Sequence, residues 1–110
     1  MESIINQFRI DNGRPLVSNW DMLVSEFCRR HSWAMAYKGL YHAESYYLND
    51  WAEAIAMCGA RELGQDVRRY LIYDVLGTSE PHRNILLYSE EMAVGMCNAN
   101  GVVYLTIRGR

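Results

Sequence analysis

Apolar and polar positions change period several times along the chain, and each change predicts an element. Ile4, Phe8 and Ile10 fall on one side of an alternation whose other side carries Gln7 and Arg9, and the run ends at Asp11-Asn12-Gly13. Alternation bounded by turn residues predicts a strand, with Arg14 to Val17 as its hairpin partner. Ser18 and Asp21 form a weakened capping box ahead of Met22, Leu23, Phe27 and Cys28, which predicts a first helix over about 19–31. His31-Ser32 reads as a break or bend. Beyond it Trp33, Ala36, Tyr37, Leu40 and Tyr41 recur at three and four residues, a second helix with a broad aromatic face.

Asn49-Asp50 offers the N-cap of a third helix through Trp51, Ile55, Gly59 and Leu63, closed by Gly64. Its small residues Ala52, Ala54, Ala56, Gly59 and Ala60 predict close packing, which makes it the central helix. Asp66 starts a fourth helix through Val67, Tyr70, Leu71 and Val75, ending at Gly77. Pro81 is read as stopping any helix across the polar stretch 78–84, and Ile85 to Tyr88 as a short strand. Val103, Leu105 and Ile107 alternate with Tyr104, Thr106 and Arg108, and Asn100-Gly101 predicts a type I′ turn pairing this strand with Met92 to Cys97. The fold class is α+β, with about four helices and a small antiparallel sheet formed by the N-terminal strand or hairpin and a C-terminal hairpin or meander.

Composition sets the scale. The 110 residues, 50% hydrophobic and 22% charged, describe a single globular domain over 1–110. A chain of this length buries about 65% of its unfolded surface and folds without disulfide or metal. The net charge of -2 lacks the basic surplus of a protein held by phosphate contacts. Of the 11 basic residues only Lys38 is lysine, so the cationic surface is one of flat guanidinium forks. Cys28, Cys58 and Cys97 are odd in number and widely spaced, which predicts free thiols in a reducing cytoplasm. The start of the sequence has no basic and apolar signal pattern, and no apolar run is long enough for a membrane span.

Catalytic and metal motifs are incomplete. Cys28 and His31 sit one helical turn apart, half of a zinc site, but no second ligand pair follows. His42-Ala43-Glu44 matches the first half of the zinc deaminase signature without the P-C-x-x-C half. No phosphate-binding glycine loop and no nucleophile elbow occurs. The sequence therefore assigns no catalytic residue, no metal and no cofactor.

Two binding patterns remain. Residues 60–70 resemble a helix-turn-helix, with Gln65, Arg68 and Arg69 as the residues that would face nucleic acid. The denser signal is aromatic. Arg30, Trp33, Tyr37, Tyr41, Tyr46 and Tyr47 combine the residue types that concentrate binding energy at protein interfaces. The expectation is a cytoplasmic, non-enzymatic protein-binding module, an inhibitor or adaptor of the kind that phages and mobile elements encode against host complexes, anti-defence proteins included. Its partner is another protein, with no membrane role and with homodimerisation compatible. The alternatives are a small helix-turn-helix-like DNA-binding regulator, and a small enzyme or ligand-binding domain drawing on His42, Glu44 or His82.

Overall fold

The C-terminal hairpin forms the centre of the structure, a computed structural model describing residues 1–43, 50–59 and 66–110. Its strands β3 (Glu91–Ala99) and β4 (Val102–Gly109) pair antiparallel and are joined by Asn100 and Gly101. Both turn residues have positive φ, 54° and 79°, as the type I′ geometry requires. In chain order the elements before them are α1 (Glu2–Asp11), β1 (Asn19–Trp20), α2 (Met22–Lys38), β2 (Ala52–Gly59), α3 (Val67–Tyr70) and α4 (Glu80–Tyr88). A π-helical turn (Leu71–Val75) and a 3₁₀ turn (Leu76–Thr78) continue α3.

The sheet runs β1-β3-β4-β2. β2 joins β4 antiparallel, whereas β1 joins β3 parallel through Asn19↔Glu91 and Trp20↔Met92, so the sheet is mixed rather than purely antiparallel. Because side chains alternate across a strand, register divides the hairpin between two layers. Met92, Leu105, Ile107, Ala54 and Ala56 face the main core, where they meet Ile5 and Phe8 of α1, Leu71, Ile72 and Leu76 of the helical run after Asp66, and Leu86 of α4. The opposite face carries Ala93, Gly95, Thr106, Arg108 and Glu53, and α2 covers it. The architecture is α+β in three layers.

Three sequence expectations are corrected, each for a physical reason. Residues 2–11 form a helix, not a strand: Ile5, Phe8 and Arg9 are its buried residues, at three- and four-residue spacing, while Ile10 is exposed. Asp11-Asn12-Gly13 ends that helix instead of turning a hairpin. Gly13 N–H donates to Ile10 O and Arg14 N–H to Arg9 O, with Gly13 at φ 71°, the paired bonds of a Schellman cap. Residues 52–59 form a strand, not the central helix, since Ala52, Ala54 and Ala56 recur at period two and put Ala54 and Ala56 in the core. Finally, residues 80–88 form a helix in which Pro81 sits in the first turn, where its missing N–H costs nothing, so the strand at 85–88 is absent.

Helix α2 is one uninterrupted element through His31-Ser32, so the two helices expected on either side are merged. Asp21 caps it by accepting from Val24 N–H, and Gly39 ends it at φ 87°. Ser32 is fully buried, but its hydroxyl bonds Gly95 O at 3.0 Å and Thr106 Oγ1 at 2.9 Å, so a polar residue crosses the layer without an unmet group. The other layer is locked by Arg9. From α1 its guanidinium donates to Pro15 O at 2.7 Å, and to Leu86 O and Ser89 O at the end of α4 at 2.9 and 2.8 Å. One buried cation thus satisfies carbonyls that the last turn of α4 leaves open.

A Cβ on Gly95 would stand 2.6 Å from the Cys28 carbonyl carbon and closer still to the backbone of Arg29. Gly95→Ala should therefore lift α2 off the sheet and lower stability by about 3 kcal/mol, near the top of the range for overpacking because the obstacle is backbone. Urea unfolding of the two proteins measures this as a lower midpoint at unchanged slope.

Candidate functional site

Packing one side of α2 on the sheet fixes what its other side presents. Val24, Cys28, His31, Ser32 and Met35 are buried at helical spacing. At 100° per residue, Leu23, Glu26, Arg30, Trp33 and Tyr37 then fall on the opposite side, with Phe27 at its margin. Leu23 is 70% exposed and Tyr37 86%, and Met22, Phe27 and Trp33 are also exposed. Surface helices usually keep large apolar residues on the face toward the core, so this exposed set makes the outer side of α2 a candidate surface.

Charge on this face is organised by Glu26. Arg29 Nε donates to its Oε2 at 3.0 Å and Arg30 Nε to its Oε1 at 3.3 Å. The Arg29 hydrogen bond holds the Glu26 carboxyl below the usual carboxylate range. Leu23, Phe27 and Arg30 border a shallow depression of about 80 Å³ around Glu26.

Of the six residues expected to form an aromatic and arginine surface, Arg30, Trp33 and Tyr37 share this face. Tyr41 lies beyond the Gly39 stop, where its ring meets His31 edge-on at 4.8 Å and its carbonyl lies 2.7 Å from His31 Nε2. Tyr46 and Tyr47 lie outside the described residues, as do Glu44 and Gln65. Met22, Leu23 and Phe27, which the sequence marks only as the pattern of a helix, are exposed as well. The signal that could have found them is length: a 17-residue helix with apolar residues all round has more than one packing face.

The nucleic-acid reading meets a different arrangement. The chain before residue 60 is strand β2, so the helix expected over 51–63 is absent across 52–59, and α3 itself has 4 residues. Arg68 turns back onto its own N-cap, with Nε 3.1 Å from Asp66 Oδ1, and that bond lowers the Asp66 pKa. The Arg69 guanidinium stacks 4.3 Å above the Tyr73 ring, whose hydroxyl donates to Asp11 Oδ2.

Beneath α2 lies a second polar constellation, built on Glu53 and Arg108, which the sequence did not single out. Glu53 and Arg108 stand directly opposite on β2 and β4, with Arg108 Nη2 2.6 Å from Glu53 Oε2 and both side chains under a tenth exposed. That contact is ionic but off the hydrogen-bond axis, so Oε2 has no directed donor. Oε1 accepts from Ala43 N–H and from His42 Nδ1, each at 2.9 Å. The His42 ring itself is mostly exposed. Cys28 is buried beside the pair, and desolvation pushes its thiol up to about 12, so it is no nucleophile at neutral pH. Among the described residues no group of three or more His, Cys, Asp or Glu side chains could hold a metal ion.

No family model and no curated protein matches the chain. Solved structures do share its fold. An outer surface protein from Borrelia burgdorferi superposes with a TM-score of 0.70 at 10% identity, over 99% of this chain and 88% of that one. An extracellular protein containing a SCP domain, from Bacillus anthracis str. Ames, gives a TM-score of 0.64 at 21% identity, over 100% of this chain and 40% of that one. The chain thus spans less than half the length of that second neighbour. At these identities the likeness is one of fold.

Two outcomes test the buried constellation. Glu53→Gln leaves Arg108 as an uncompensated buried charge and should cost about 3–5 kcal/mol, whereas pairing it with Arg108→Met recovers much of the loss. Chemical denaturation of the single and double variants measures both. In the folded protein a thiol reagent at pH 8 should label half-buried Cys58 first and leave Cys28 unlabelled until the chain unfolds; labelling of Cys28 at the rate of an exposed thiol would contradict its burial.

Proposed function

We propose that this chain is a non-enzymatic protein-binding module, an inhibitor or adaptor that docks on a partner protein through the outer face of α2. The observation that carries the reading is the exposure of Leu23, Phe27, Trp33 and Tyr37 around Arg30 on a helix whose inner face is already fully packed. Aromatic anchors next to an arginine concentrate binding energy, and the Glu26 carboxylate among them gives the patch a charge pattern that selects its partner. A phage or mobile-element origin belongs to the same proposal. So does a cytoplasmic location, which three unbridged cysteines favour. The fold neighbours are described as surface and extracellular proteins, and cell fractionation discriminates between the two compartments. No helix among the described residues is long and apolar enough to cross a membrane.

One observation favours a second reading, a small ligand-binding or catalytic domain. His42 is held through Nδ1 by a carboxylate that Arg108 fixes in turn, which leaves Nε2 available to a ligand. Loss of a small-molecule ligand in His42→Ala, with protein binding intact, would support it.

The decisive experiment is affinity capture from native host lysate, with and without nuclease and across a salt series, using wild type and the Leu23→Ala/Trp33→Ala/Tyr37→Ala variant. The expected result is one stoichiometric protein that survives nuclease and salt and is lost with the variant, each truncation costing about 2 kcal/mol of affinity at unchanged thermal stability. Recovery of nucleic acid instead, lost with salt and with Arg68→Ala/Arg69→Ala, would transfer the function to α3.

A further inference from the structure

The parallel strand β1 covers only the first residues of β3. Beyond Met92, whose carbonyl accepts from Asp21 N–H, the outer edge of β3 continues without a partner strand among the described residues. Val94 N–H turns outward to Ser25 Oγ at 3.2 Å, which fixes the phase of the edge. By the alternation of an antiparallel ladder, Val94 C=O, both backbone groups of Met96 and both of Asn98 point to the same side, away from β4. Among the described residues no protein group meets them.

Val94, Gly95 and Met96 of this strand line a groove of about 430 Å³. Met1 and Trp20 line it beside Glu2, and both pack with Val94 and Met96 against the main core. From α2 come Ser25, Glu26 and Arg29, with Met22 at the start of the helix. Natural edges are blunted by lysine, proline or a covering element, and Val94, Met96 and Asn98 carry none of the first two.

We infer that the groove binds an extended peptide segment of another protein, which adds to the sheet as an antiparallel strand against Val94–Asn98 on the line that β1 begins. A peptide residue opposite Met96 exchanges two backbone hydrogen bonds with it, and its neighbours two positions away reach Val94 C=O and Asn98 N–H. The lining then dictates an alternating sequence. Residues on the Val94 and Met96 face meet Met1 and Trp20 and are apolar; those between, opposite Gly95, meet Ser25, Glu26 and Arg29 and are polar. Methionine and tryptophan in the lining accommodate side chains of different shape. A second copy of this chain is the less suited occupant, because the Val94–Met96 part of its own β3 edge is flanked by the same Met1, Trp20, Ser25 and Arg29 side chains. The groove adjoins the α2 surface at Met22 and Glu26, but the outward residues Leu23, Trp33 and Tyr37 do not line it.

The test uses a fluorescent peptide, Thr-Val-Thr-Val-Thr-Val-Thr, and the same peptide N-methylated on alternate residues. In the free protein, amide hydrogens of Met96 and Asn98 should exchange quickly while Gly95 and Cys97, bonded to β4, exchange slowly; the unmethylated peptide should slow the first pair. Met96→Pro removes the outward N–H together with the Met96 side chain while sparing the β3–β4 hydrogen bonds, so it should bind about tenfold more weakly. Met96→Lys supplies a second blocked edge should the proline variant not fold. Leu23→Ala/Trp33→Ala/Tyr37→Ala should bind the peptide as wild type does. Equal binding of the methylated peptide, undiminished binding by both Met96 variants, or Met96 and Asn98 amides protected by concentration-dependent dimerisation would each overturn the proposal.

Discussion

Everything on the α2 side of the molecule depends on the missing side chain of Gly95. Because no Cβ stands there, the backbone of α2 at Cys28 and Arg29 rests directly on β3, and Ser32 reaches Gly95 O and Thr106. That approach fixes both the height and the rotation of the helix. With Ser32 and Cys28 held inward, Leu23, Arg30 and Tyr37 have no orientation left except outward, and Ser25 and Arg29 stand at the rim of the β3 groove. The exposed outer face of α2 and the groove beside β3 are consequences of one contact.

The two layers are built on different physics. Between the sheet and α1, α3 and α4 the core is aliphatic and aromatic, and its one buried charge, Arg9, spends its donors on carbonyls. Under α2 the described apolar cluster is small, Val24, Cys28, Trp51 and Ala93, with Met35 also buried, and polar contacts stand among them: Ser32 with Thr106, Arg108 with Glu53. A buried ion pair adds little net stability against an apolar replacement, yet removing one partner is costly, so such a pair enforces register more than strength. Here it matches β2 to β4 at one position. The apolar surface that α2 does not need for its own packing is left on the outside.

The parts of the fold legible in the sequence are those specified by neighbours in the chain. Asn100-Gly101 between two alternating runs defined the β3–β4 hairpin, because positive φ at both positions is a local requirement. Asp66 was readable as the N-cap of a helix for the same reason. Errors arose where one local pattern has two structural solutions. Asp11-Asn12-Gly13 serves a hairpin or a helix end equally well, and only burial of Ile5, Phe8 and Arg9 selects the helix. Small residues at 52, 54 and 56 suit either a close helix contact or the inner face of a strand, and the choice is made by pairing with β4, some fifty positions away.

The candidate surface divides along the same line. Sequence by itself determined the α+β class, the hairpin, and a chain rich in arginine and aromatic residues around 30–41 without a complete catalytic motif. It could not determine which aromatics are exposed, since a helix with apolar residues all round gives no sign of which side meets the sheet. Tertiary structure decided that, through Gly95 and Ser32, and it alone created the Glu53–Arg108 pair and the open edge of β3. Those features join residues distant in the chain, and side-chain periodicity carries no information about which distant strand will arrive opposite.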